Sequence, residues 1–304
     1  MADVLNTSDL DLAAHQKKGV WRKSIKTGVL AQLAAADPEI KVGDTNIFTF
    51  LDAAKAELVG ESAEKSSQDG RPTKATAKTY KVQVTYRFSD EVKYEDEDYQ
   101  IGLVEALVGR VGEALSRALD LIAIHGVNPV TGVVSGQVTQ YLDKASFLPA
   151  DHVIAETSNK SADVVAMAAA LQGAGYNATA VAFDPQFAGQ LARSEDGNNR
   201  PLYPELGLGF NVENFQGLRA ASSDTVSGRS ELDTPLVKSI MGDFRAFVWG
   251  VARQVPLRTI EYGDPDGNGD LQRQNEIAIR AEAYLGFAFI DPAAFAMVKA
   301  SPSS

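Results

Sequence analysis

The spacing of apolar residues changes along the chain, and each change marks an element. Residues 46–59, NIFTFLDAAKAELV, open with a strand pattern. Residues 79–88, TYKVQVTYRF, alternate strictly and place Tyr80, Val82, Val84 and Tyr86 on one face. Between them, GESAEKSSQDGRPTKATAK (60–78) carries no large apolar residue, so it has no face of its own to bury. This predicts a hairpin with a long polar tip. Loops of that length are uncommon inside a compact domain, so the tip must project or rest on another molecule.

The period then switches to that of a helix. Ile101, Val104, Val108, Val111, Leu115, Leu119 and Ile122 recur at three- and four-residue steps, predicting one helix over about 98–125. At 1.5 Å per residue this is a rod of roughly 40 Å. Glu113 and Arg117 are expected to pair on its outer face. Glu95, Asp96, Glu97 and Asp98 suit the positive end of its dipole. Gly126 and then Asn128-Pro129 stop it.

Residues 133–240 read as α/β pieces, with SADVVAMAAALQGAGY a helix, ATAVAFDP a strand and QFAGQLARS a helix. Strands return in SIMGDFRAFVWGVARQVPLRTIEYG and EIAIRAEAYLGFAFIDP. At the other end, 1–44 predicts an extended arm with one short helix inside 29–36 and a basic patch, KKGVWRKSIK, at 17–26.

Composition narrows the functions. The 304 residues are 44% hydrophobic, enough for one large core or two modest ones. A net charge of −11 argues against general nucleic-acid binding. The absence of cysteine removes zinc ribbons, disulfides and thiol nucleophiles. His15, His125 and His152 lie far apart, without metal-ligand spacing. No apolar run is long enough for a signal peptide or a membrane span, so a soluble protein is expected.

One stretch spells a calcium loop. DPDGNGDLQRQNE (264–276) puts Asp264, Asp266, Asn268 and Gly269 on the D-x-[DN]-x-[DN]-G pattern. Position twelve, which needs a bidentate Glu, is Asn275, and both flanks read as strands rather than helices. Asp-Gly and Asn-Gly are also hairpin-turn signals, so a turn is predicted and no metal or cofactor is expected. GLGFNVENFQG lacks the strand-to-helix context of a phosphate loop. No conventional enzyme site emerges.

Taken in order, HGVNPVTGVV, DPQF with EDGNNRPLY, GDF and the closing DPAAF resemble the major capsid proteins of tailed bacteriophages, with the Hong Kong 97-type fold. The likeness spans about 45–304. It implies an α+β fold with an N-terminal arm (1–44) and an E-loop hairpin (45–78). A P domain with its spine helix (79–132), an A domain (133–240) and closing P-domain strands (241–304) follow. It implies hexamers and pentamers of this chain, closed into an icosahedral shell around double-stranded DNA without sequence-specific binding. A portal protein, scaffolding and decoration proteins are the further partners. The expected location is the virion, after assembly in the host bacterial cytoplasm.

In some relatives an E-loop lysine condenses with a P-domain asparagine, assisted by a glutamate. The corresponding positions here are Lys65, Asn275 and Glu282, with Lys74 and Lys78 as rival lysines. The chemistry needs a neutral amine, a carboxamide and a proton acceptor. Asn275 and Glu282 are seven residues apart, so a regular strand would turn them to opposite faces. The alternatives to a viral shell are an encapsulin-like nanocompartment holding an enzyme, a soluble α/β enzyme, or a calcium-binding module.

Overall fold

The computed structural model describes residues 28–49, 55–59, 64, 67, 71–91, 97–196, 198–206 and 212–301, with the backbone alone for 97–108 and 254–256. In chain order its elements are α1 (Leu30–Leu33), β1 (Thr45–Thr49), β2 (Thr73–Ser89) and α2 (Glu97–Asp120). Next come β3 (Val153–Ala155), α3 (Lys160–Gly173), β4 (Ala180–Phe183) and α4 (Pro185–Ala192). The rest are β5 (Asn214–Phe215), β6 (Leu218–Ser222), β7 (Val237–Gly242), β8 (Phe247–Ile260), α5 (Leu271–Gln274), β9 (Glu276–Phe289) and β10 (Phe295–Lys299).

The long strands form a four-stranded sheet in the order β1-β2-β9-β8. The hairpin expected at 46–88 is present, with β1 pairing β2 from Thr45–Ala77 to Thr49–Thr73. Tyr80, Val82, Val84 and Tyr86 are half-buried while Lys81 and Gln83 between them are exposed, as the alternation requires. Part of the polar tip is different from the expectation. Residues 73–78 belong to β2, and Ala75 and Ala77 are buried. Pairing satisfies their backbone, and Ala77 is small enough to pack beside Ile40 and Ala288 without a large apolar group.

A second sheet of six strands runs β3-β10-β7-β4-β6-β5. Its central strands are buried on both faces. Val181 and Phe183 of β4 pack with α3 and α4, through Met167, Leu171, Phe187 and Leu191. Ala180 and Ala182 face the opposite cluster, where the end of the long helix meets Phe244, Phe247, Phe287 and Phe295. Two-sided burial explains why AVAF reads as an unbroken apolar run. The last strand, grouped by sequence with the closing P-domain strands, instead lies in this sheet between β3 and β7. The boundaries drawn at 78/79 and 240/241 fall inside β2 and β7.

The long helix is α2 continued by a π-type turn over Leu121–His125, and Gly126 ends it in the left-handed region at φ 68°. A side chain at Gly126 would also overlap the Tyr141 ring. Most of the arm expected over 1–44, with the basic patch at 17–26, lies outside the described residues, which begin at 28. Val29, Leu30, Leu33 and Ala34 are buried against the helix end, and the helix at 30–33 is a single turn.

Candidate functional site

The calcium-like stretch is the β8–β9 connection, and its centre is already occupied by the protein itself. Arg87, at the end of β2, points its guanidinium into the turn and its side chain is only 4% exposed. Nε donates to both Asp266 oxygens (2.8 and 3.0 Å), and Nη2 donates to Asp264 Oδ1 (3.1 Å) and the Gly269 carbonyl (2.7 Å). Nη1 donates to Gln274 Oε1 and Glu276 Oε2, both at 2.9 Å. A planar fork of five N–H groups thus satisfies acceptors that spell a cation loop. Asp264 also accepts from the Gly267 and Gly269 amides (2.7 and 3.1 Å), which closes the turn. Burial pushes the Asp266 carboxyl up, but hydrogen bonding to Arg87 wins and holds it below the ordinary carboxylate range. Among the described residues no group of His, Asp and Glu is arranged to hold a metal ion. The predicted turn is present. The arginine inside it had no sequence signal, because Arg87 falls on the face that alternation assigns to water.

A second polar centre locks the helix end. Asp120 is fully buried and accepts from the Val29 and Leu30 amides (2.6 and 3.0 Å) and the Thr225 hydroxyl (2.5 Å). It thereby caps α1, whose own N-cap residue, Val29, has no side-chain oxygen to offer. Burial pushes its carboxyl up to about 6 despite those donors and the nearby Arg117 charge. Arg117, expected on the outer face of the helix, has a side chain only 14% exposed and ion-pairs with Asp224 (2.6 Å) and Glu231 (2.5 Å). The loop following β6 folds over the helix at this height and supplies both acids. His125 Nε2 donates to the Thr225 and Val226 carbonyls (3.2 and 3.1 Å), and His152 Nδ1 to the Phe295 carbonyl (2.8 Å). Both histidines are structural.

Of the residues carried over from the resemblance, the described pair Asn275 and Glu282 is not brought together within one chain. Lys65 lies outside the described residues. Asn275 ends α5 in the left-handed region (φ 55°, ψ 48°), and its carbonyl accepts from the Asp90 amide (2.7 Å). Glu282 sits within β9, opposite Gln83, ion-paired with Lys81 at 3.1 Å. Seven residues of strand rise separate the two by about 20 Å. Of the rival lysines, Lys74 is exposed and Lys78 half-buried, both on β2.

The surface is the remaining place for function. Large apolar side chains stand out of the body at Phe48 (65% exposed) on β1 and at Leu58 (100%) beyond it. Val130 (90%) stands out in the loop after the long helix, and Val251 and Leu257 on β8. Such positions, on a chain whose described helices include none long and apolar enough to cross a membrane, suit contact with other protein.

Comparison with known proteins agrees with a surface made for assembly. The family model described as the phage capsid family matches residues 12–300. A solved chain from Mycobacterium phage Ogopogo is 39% identical, covering 98% of this chain and 100% of that one, with a TM-score of 0.80. One from Gordonia phage Cozz is 27% identical over 98% of this chain and 94% of that one, with a TM-score of 0.78. The capsid of an empty GTA particle, computed with C5 symmetry, shares the fold at 17% identity and a TM-score of 0.64, covering 95% of this chain and 94% of that one. A comparison with curated proteins gives no match.

Proposed function

The chain belongs to the phage capsid family, and from that premise we propose that it is a Hong Kong 97-type shell subunit. It is a structural major capsid protein of a phage, part of the virion, and it assembles with copies of itself into capsid oligomers. In our reading the β1–β2 hairpin is the E-loop, α2 with its π-turn is the spine of the P domain, and the six-stranded sheet with α3 and α4 is the A domain. Hexamers and pentamers of the chain close an icosahedral shell around double-stranded DNA. A portal protein, and scaffolding and decoration proteins, complete the particle, assembled in the host bacterial cytoplasm.

The observation that carries this reading is the bare hairpin. β1 is an edge strand that exposes Phe48, and the described residues past it, 55–59, expose Leu58 fully. A shell would bury these groups between copies. The acidic balance agrees, since a lining that gripped phosphate would impede packing of DNA. Negative-stain electron microscopy of the expressed chain tests the reading. Closed icosahedral particles are expected, and a stable monomer at high concentration refutes it. The cross-link between Lys65, Asn275 and Glu282 is a proposal for the assembled shell alone. With some 20 Å of strand between Asn275 and Glu282, different copies must supply them.

A further inference from the structure

The β8–β9 turn contains a chemical liability that its own geometry holds in check. Gly267 and Gly269 take φ of 81° and 106°, where a side chain would be strained, so the turn fixes glycine after Asp266 and after Asn268. Asn268-Gly269 is the single Asn-Gly pair in the chain. A glycine successor leaves its own backbone nitrogen unshielded, and that nitrogen can attack the side-chain carbonyl carbon of the residue before it. A Cγ–N bond forms, the amide proton passes to a solvent base, and at asparagine the bond to Nδ2 breaks and ammonia leaves. Water then opens the succinimide at either carbonyl to give aspartate or isoaspartate. In this turn both nucleophiles are tied to the same carboxylate. The Gly267 amide donates to Asp264 Oδ1 (2.7 Å) and the Gly269 amide to Asp264 Oδ2 (3.1 Å). The carboxamide under attack is tied as well, since Asn268 Nδ2 donates to Asp266 Oδ2 (3.0 Å).

We propose that Asn268 is a latent deamidation site, and that Asp264 sets its rate by holding the Gly269 amide. This chemistry belongs to the free subunit and does not depend on assembly. To react, the Gly269 nitrogen must leave Asp264, swing toward Asn268 Cγ and lose its proton. The hydrogen bond opposes the first step, and the negative charge of Asp264 disfavours the amide anion of the last. Asn268 cannot turn its carboxamide to receive the attack without breaking a second charge-assisted bond, the one to Asp266. Asp266 faces the same attack from Gly267 and is protected twice. Its nucleophile is held by Asp264 Oδ1, and Arg87 keeps it ionised against the push of burial, which makes it a poor electrophile. Reaction at Asn268 is irreversible and alters the turn. It sets a carboxylate where Nδ2 now donates to Asp266, so a hydrogen bond becomes a repulsion, and the isoaspartyl product lengthens the backbone by one carbon. A turn that opens long enough to react therefore cannot close again in its original form.

Trypsin releases residues 259–273 with Asn268 inside, so conversion is read by mass spectrometry after digestion of the full chain, and isoaspartyl methyltransferase labels the isoaspartyl product. The full-length subunit and a synthetic peptide of 259–273 are incubated side by side at mildly alkaline pH. The folded chain should convert about tenfold more slowly than the peptide, the factor of one charge-assisted hydrogen bond. Asp264→Ala should remove most of that gap in the chain and change nothing in the peptide. Asp270→Ala removes the cap on the Arg273 amide (3.1 Å) rather than a glycine amide, and should leave the rate at the wild-type value. If Asp264→Ala does not fold, Asp264→Asn keeps one acceptor oxygen, and its new carboxamide cannot cyclise because Pro265 has no N–H. An intermediate rate is then expected, and a wild-type rate overturns the proposal. A wild-type chain that converts as fast as the peptide also overturns it. So does Asp264→Ala indistinguishable from wild type, or Asp270→Ala as fast as Asp264→Ala, which would show general loosening of the turn.

Discussion

Replacing Arg87 by methionine keeps the length of the side chain and removes the charge and five N–H donors. Asp264, Asp266 and Glu276 would then face one another, with side-chain exposures of 40%, 23% and 11%. Stranding a buried charge costs about 3–5 kcal/mol. Water still reaches Asp264 and, less, Asp266, so the expected loss here is about 2–4 kcal/mol. The loss should be local first, because Arg87 holds the β8–β9 turn to the end of β2 rather than the core. Hydrogen exchange read by mass spectrometry on the unassembled subunit is the assay. Amides over 261–277 should lose protection by that amount in Arg87→Met, and by less in Arg87→Lys, which keeps the charge but not the fork. In the wild type, neither EDTA nor millimolar calcium should change exchange there, since the guanidinium fills the place a cation would take. Protection in Arg87→Met within about 0.5 kcal/mol of wild type, or a calcium response in wild type, refutes the reasoning.

Asp120 should leave a signature in the pH dependence of stability. Its folded pKa, about 6, lies above the ordinary value of 3.8, so its stabilising contribution is complete below about 3.8 and fades as pH rises through 6. The difference amounts to about 3 kcal/mol between pH 3.8 and 7. Denaturant titrations of wild type and Asp120→Asn should therefore diverge with pH. Wild type should lose about 2–3 kcal/mol relative to the variant between pH 4 and 7. Asp224 and Asp266, which arginines hold below their usual range against the pull of burial, act in the opposite sense: their stabilisation is present above the ordinary carboxylate pKa and lost as pH falls further. A flat difference profile would show that Asp120 does not titrate in this window. Separately, shells boiled in SDS with reductant should give species above the 32.5 kDa chain if Lys65 and Asn275 bond. A single band removes the cross-link without touching the fold.

What the sequence disclosed, and what it hid, divides along a physical line. Periodicity is a local property, and it located the hairpin, the long helix, α3, β4 and α4 and the β8–β9 turn, each within a few residues. Partnerships across the chain leave no such trace. Arg87 is 177 residues from Asp264, and Asp120 is 90 from Leu30. The sequence places Arg87 on a polar strand face and Arg117 on an outer helix face, where both belong by local rules. Each turns inward because a distant loop brings carboxylates to it. The one available hint was the surplus of acids in DPDGNGD, which demands some cation and does not say which. The placement of β10 was hidden for the same reason, since nothing in FAMVK distinguishes one sheet from the other.

Arg87 and Asp120 meet the same need at the ends of two different elements, β2 and α2. A long sheet and a long helix have ends whose polar groups cannot be satisfied by the elements themselves. Here one residue from each element reaches out to close a loop from elsewhere in the chain. Two stiff frames result, with their ends fixed before any neighbour arrives. The exposed apolar groups Phe48, Leu58, Val251 and Leu257 are left outside those frames. That division suits a subunit that must keep its shape while waiting for its partners, since a rigid frame spends little further conformational entropy on docking. It also orders the effects of substitution. Changes at Arg87 or Asp120 should weaken the free subunit and the shell together, whereas changes at Leu58 or Leu257 should leave the free subunit's melting temperature unmoved and weaken only the shell. If Leu257→Ser destabilised the unassembled chain as strongly as Arg87→Met does, the division between frame and contact surface would be wrong.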